Sequence, residues 1–114
     1  MRDGGSMKDL TLTEEMFLLA VWKLGEDAYG VTIRQHVSEE TGRTYPYGTL
    51  YSALDKLARK GFLNRSTGDP SPERGGRRKH YYTITDQGIE ALRTAMELKR
   101  LLWDPDTELA LSKS

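Results

Sequence analysis

PYGTLYSALDKLARKGFLNRS, from Pro46 to Ser66, is the stretch that decides the fold. Leu50, Leu54 and Leu57 recur at helical spacing with Ala53 beside them, which is one apolar stripe on a helix. Proline suits a first helical turn, where the missing amide has no partner to lose, so the helix begins at Pro46 or Tyr47 and ends at Gly61. Phe62 to Ser66 then reads as a short strand. At roughly 100° per residue, the side opposite the leucines displays Gly48, Thr49, Ser52, Asp55, Lys56, Arg59 and Lys60. Its early positions are small or hydroxylated and its late ones mostly basic. Small residues allow close approach to base edges, hydroxyls donate to bases or phosphates, and cations neutralise phosphates. Tyr47 and Tyr51 flank this face. For Tyr51 two readings stay open: a phenol reaching a phosphate, or a ring covering the edge of the core.

Working outward, Lys79 to Ile84 favours extended backbone through Tyr81, Tyr82, Thr83 and Ile84. It forms a hairpin with Phe62–Ser66. The connection from Thr67 to Arg78 is long for a hairpin and holds Arg74, Gly75, Gly76, Arg77, Arg78 and Lys79 at its returning side. Arginines beside flexible glycines suit a minor groove or a phosphate ridge; the plain alternative is a solvated loop. Upstream, Ile33 and Val37 give a helix from about Gly30 to Thr41-Gly42 a narrow stripe. A first helix opens near Thr13 and stops at Gly25, with Phe17, Ala20, Val21 and Leu24 on one face and Met16, Leu18, Leu19 and Trp22 on the others. A helix apolar nearly all round needs cover on more than one side.

A fourth helix runs from Thr85 or Asp86 to about Trp103. Ile89, Leu92, Met96 and Trp103 make one stripe, and Ala91, Ala95, Leu98 and Leu102 another. Two adjacent apolar faces let a helix pack on its own domain and on a twin; a single broad intramolecular face is the alternative. The expectation is a mainly α fold with a small β-hairpin. A winged helix-turn-helix domain spans 13–84 and a dimerisation helix spans 85–103. A flexible leader, 1–12, includes a stretch at 1–6 that reads as a tag remnant or native leader, and 104–114 is a patternless tail.

The formal charge is zero, but it is segregated. Residues 43–80 carry nine basic and three acidic side chains, a balance of +6, between acidic flanks. That permits one positive face on an otherwise neutral protein. The absence of cysteine excludes a disulfide framework and a thiolate metal site. The apolar run Met16–Trp22 is too short to span a bilayer, so no membrane role and a cytoplasmic location are expected. His36 and His80 lie in different elements, and no Gly-x-Ser-x-Gly or Ser-x-x-Lys pattern occurs. No enzyme, no metal and no cofactor is expected.

Ala28-Tyr29-Gly30, Gly48-Thr49-Leu50-Tyr51 with Leu54 and Leu57, Gly61-Phe62-Leu63, Pro72 to Lys79, Tyr81-Tyr82, and Thr85 with Gly88 follow one another in order. Across about residues 13–103 the sequence resembles the PadR family of bacterial transcriptional regulators, in its short-tailed branch. It departs from the pattern at Tyr45-Pro46-Tyr47, where relatives usually have a small polar helix cap. The resemblance implies a homodimer joined through its terminal helix, binding double-stranded DNA at a pseudo-palindromic operator, usually as a repressor. It makes Tyr51 the recognition-helix tyrosine and Tyr82 the wing-strand tyrosine. The expected DNA contacts are Tyr47, Gly48, Thr49, Tyr51, Ser52, Lys56, Arg74, Arg77, Arg78 and Lys79. The expected dimer interface is Phe17, Trp22, Ile89, Leu92, Met96 and Trp103. Family effectors range from phenolic acids and hydrophobic drugs to none. Phe17, Trp22, Met96 and Trp103 are the candidates for a pocket taking a small hydrophobic or aromatic effector, although interface packing without a ligand is the simpler reading. A winged-helix module that docks proteins is the competing function; the +6 segment argues against it.

Overall fold

The computed structural model describes residues 9–68 and 79–113. Helix α1 spans Leu12–Leu24, α2 Gly30–Thr41, α3 Tyr47–Arg59, α4 Asp86–Leu102 and α5 Pro105–Ser112; strands β1, Leu63–Thr67, and β2, His80–Ile84, form the hairpin after α3. This is a winged helix-turn-helix, with α2 and α3 as the helix pair and the hairpin as the wing.

Helix α1 starts one residue before the expected Thr13. The Thr11 hydroxyl accepts from the Glu14 amide and the Glu14 carboxylate accepts from the Thr11 amide, a reciprocal capping box. Thr11 and Leu12 therefore belong to the helix and not to a leader. Gly42 ends α2 at φ 78°, a left-handed conformation that glycine adopts without a Cβ penalty. The chain then turns through Thr44–Pro46 into α3. The wing is antiparallel, with Leu63 opposite Ile84, Arg65 opposite Tyr82 and Thr67 opposite His80. β1 is shifted by one residue from the expected bounds and β2 starts one residue later, within the usual fraying of element ends.

One core holds these parts together. Phe17, Leu18, Ala20 and Val21 of α1 meet Ile33 and Val37 of α2, Leu50, Leu54 and Leu57 of α3, and Phe62, Leu63 and Tyr82 of the wing. The α3 stripe is enclosed as its spacing predicts. On α1, Leu18 joins the core, whereas Leu19 and Trp22 face out. Phe17, expected at a subunit interface, is 0% exposed and packs edge-on against Tyr45, with ring centroids 5.4 Å apart. It is a core residue, because α1 is the central helix against which α2, α3 and α4 all pack.

The expected tail, 104–114, holds a helix. Asp104 caps α5 by accepting from the Thr107 amide at 2.7 Å, and Pro105 occupies its first turn. The Asp104-Pro105 pair that ends α4 thus starts a further helix. Among the described residues, no helix is long and apolar enough to cross a membrane.

Candidate nucleic-acid interface

Helix α3 projects its outer face away from the core. Gly48, Thr49, Ser52, Lys56 and Arg59 are exposed along it, and Tyr47 and Tyr51 stand exposed at one flank. A shallow cleft of about 560 Å³ between this face and the start of α1 is lined by Thr13, Gly48, Thr49, Ser52 and Lys56, among others. Hydroxyls and the Lys56 ammonium line it, groups that suit phosphate oxygens, together with Glu14 at its floor.

Two charges of the face are held back. Lys60, expected on the outer side, turns inward: its Nζ donates to the Glu14 carboxylate at 2.8 Å and to the Asp9 carbonyl at 2.9 Å. Glu14 is buried, 3% exposed. Burial alone would raise its carboxyl, but the Lys60 ammonium and the Thr11 amide outweigh it and hold the group below its usual range. The pair ties the end of α3 to the start of α1. Asp55, in the middle of the outer face, lies 3.6 Å from Arg59 and 3.9 Å from Arg65 of β1.

The tyrosines are ordered by α2. Arg34 Nε donates to the Tyr45 carbonyl at 2.6 Å, and its guanidinium carbon sits 4.4 Å from the centre of the Tyr47 ring. Tyr47 in turn stacks on Tyr51, with centroids 6.1 Å apart and planes 20° off parallel. The Tyr51 hydroxyl lies against Gly30. The hydroxyl end of Tyr51 thus covers the α2–α3 junction, while the side chain as a whole stays 44% exposed. Arg34 escaped the sequence reading. It is the one permanent cation in Gly30–Thr41 and lies one turn after Gly30, which is the signal that marks it.

The wing is fastened at its base. The Tyr82 amide donates to the Ala28 carbonyl at 2.9 Å, and Tyr29 meets Tyr81 edge-on at 5.4 Å. Lys79, expected at the duplex, places its ammonium 4.1 Å from the centre of the Tyr29 ring. Tyr82 is 4% exposed; burial lifts its phenol above the usual value despite the Arg65 guanidinium beside it. Arg74, Arg77 and Arg78 lie outside the described residues.

Of the expected interface residues, Trp22, Met96 and Trp103 are exposed, Ile89 is half-buried and Leu92 packs against the domain's own core. Phe17 is enclosed in the core, and none of the four effector candidates lines either groove among the described residues. The open groove between α1 and α4, about 870 Å³, is lined instead by residues that include Leu10, Glu15, Ala95 and Leu98.

The comparisons agree with this geometry. A family model described as "Transcriptional regulator PadR-like family" matches residues 18–94. No curated protein matches the chain at a significant level. Among solved structures, the complex structure of hsRosR-S4 is 26% identical and superposes with a TM-score of 0.66, covering 97% of this chain and 91% of that one. PadR of Bacillus subtilis in complex with operator DNA is 26% identical, with a TM-score of 0.65, over 75% of this chain and 47% of that longer one. A PadR-like transcriptional regulator of Bacillus cereus, 19% identical, shares the fold with a TM-score of 0.69 over 90% and 93% of the two chains.

Proposed function

The chain belongs to the PadR-like family of transcriptional regulators, and on that premise we propose that it represses transcription as a cytoplasmic homodimer on a pseudo-palindromic operator. The observation that carries the reading is the α3 face: Thr49, Ser52 and Lys56 exposed beside Tyr47 and Tyr51, on a helix whose opposite side is fully enclosed. A helix of that build fits the major groove. The Bacillus subtilis relative solved with operator DNA supports the same use of the fold. Arg74, Arg77 and Arg78 are the proposed further contacts to the DNA backbone, and Lys79 is seated on Tyr29 just before the returning strand. Residues 11–84 form the reading unit and 85–103 the dimerisation helix.

Exposed Trp22 on α1 and Met96, Leu101, Leu102 and Trp103 at the end of α4 support the dimer. Large apolar side chains left exposed on one chain are the kind that a partner subunit covers. Trp22, Met96 and Trp103 then meet their counterparts at the subunit boundary, where packing without a ligand suffices.

The test is binding of fluorescent duplexes taken from upstream of the protein's own operon, measured against salt. Sequence-dependent binding is expected, with Lys56→Ala and Arg77→Ala each lowering the salt slope by about one unit per lost phosphate contact. An unchanged slope in both variants contradicts the assigned surface.

A further inference from the structure

We propose that Arg34 is a positioning residue for base recognition, setting where the first turn of α3 meets the base edges. The proposal rests on the DNA-binding reading above. It starts from a gap in α3. The N-cap of that helix is Pro46, which makes no side-chain capping hydrogen bond, and Gly48 in the first turn has nothing within 4 Å of where a Cβ would stand. The beginning of the recognition helix is anchored by Leu50 in the core and by Tyr45 on Phe17, with no side-chain cap and an open outer face. Yet its first turn carries Tyr47, Gly48 and Thr49, the residues nearest a base.

Arg34 supplies the missing tie from the neighbouring helix. Its Nε donates to the Tyr45 carbonyl at 2.6 Å, one residue before the cap, and its guanidinium carbon lies 4.4 Å from the centre of the Tyr47 ring. Two rungs result. Gly30 and Arg34 are one turn apart on α2; Tyr47 and Tyr51 are one turn apart on α3. Tyr51 closes on Gly30 and Tyr47 on Arg34, and the two rings stack on each other. Lysine cannot replace arginine in this place, because it has neither the planar face nor an Nε–H in the fork.

The experiment compares affinities for a duplex enriched from a random library by the wild-type protein and for a scrambled duplex of equal length and composition. Arg34→Ala and Arg34→Lys are both expected to lower the ratio of the two affinities about tenfold, the scale of one good base contact. The salt slope on the scrambled duplex should hold. Tyr47→Ala combined with Arg34→Ala should lose little more than either alone, since the two act as one unit. Rescue by Arg34→Lys, with a slope about one unit lower for Arg34→Ala, would make Arg34 a phosphate contact and overturn the proposal. A parallel fall in both affinities with a lower melting temperature would make its role structural and overturn it as well. Failure of the wild-type protein to enrich any sequence would sink the DNA-binding reading itself, an outcome distinct from the other two.

Discussion

The Tyr51 hydroxyl occupies the place where a side chain on Gly30 would stand: a Cβ built on Gly30 falls 2.1 Å from Oη and 2.8 Å from Cζ. Gly30 opens α2 and Tyr51 lies in the second turn of α3, so this contact sets how closely the two helices of the helix-turn-helix approach.

Gly30→Ala should therefore destabilise the fold by about 1–3 kcal/mol, the usual cost of overpacking, despite alanine's better helix propensity. In a Tyr51→Ala background the obstacle is gone, and the same substitution should become neutral or slightly stabilising. Chemical denaturation of the four proteins checks this; an equal cost in both backgrounds would show that Tyr51 is not what excludes the methyl group.

The buried Glu14–Lys60 pair gives a pH-dependent term. The Glu14 carboxyl titrates below its unfolded value, so its contribution is present above about pH 4.3 and is lost as pH falls through the lower folded value. Glu14→Gln should cost about 1–3 kcal/mol near neutrality, the range for a charged hydrogen bond left without its partner. The gap between the two proteins should close in acid. A gap constant from neutral to acid pH would mean that the carboxylate charge is not the stabilising feature.

Asp55 pairs with two arginines, Arg59 beside it on α3 and Arg65 on the wing, at the surface proposed to meet DNA. Asp55→Asn removes the acid's repulsion of phosphate and frees Arg59 and Arg65. Binding to a scrambled duplex should strengthen, and the salt slope should steepen by about 0.9 for each arginine that reaches a phosphate. Stability should hardly change, because exposed ion pairs contribute about 0–1 kcal/mol.

The dimer reading predicts that Met96→Glu combined with Leu101→Glu shifts the protein to a monomer in sedimentation while leaving its helical circular dichroism largely intact. Both side chains are more than half exposed in the single chain, so charge there should not disturb the core. A wild-type protein that sediments as a monomer would refute the homodimer.

Residue periodicity carried much of the fold. Leu50, Leu54 and Leu57 announce a helix with one enclosed side, and that pattern is local, set by 3.6 residues per turn. The hairpin was legible for a similar reason, since Tyr81 to Ile84 favour extended backbone. The recognition surface followed as the complement of the leucine stripe. Helix α5 was missed because Asp104-Pro105 both stops one helix and starts another; the signal was present and was used only once.

What composition and spacing determined by themselves is which residues lie inside α3 and which lie outside, because a helix presents its faces at a fixed angle per residue. What only the tertiary structure decided is how those residues are employed: Phe17 in the core, Lys60 turned back to Glu14, Lys79 on Tyr29, and Arg34 over Tyr47. Each of these depends on a partner from another segment, and the packing of helix on helix that brings such partners together is not encoded in the period of either one.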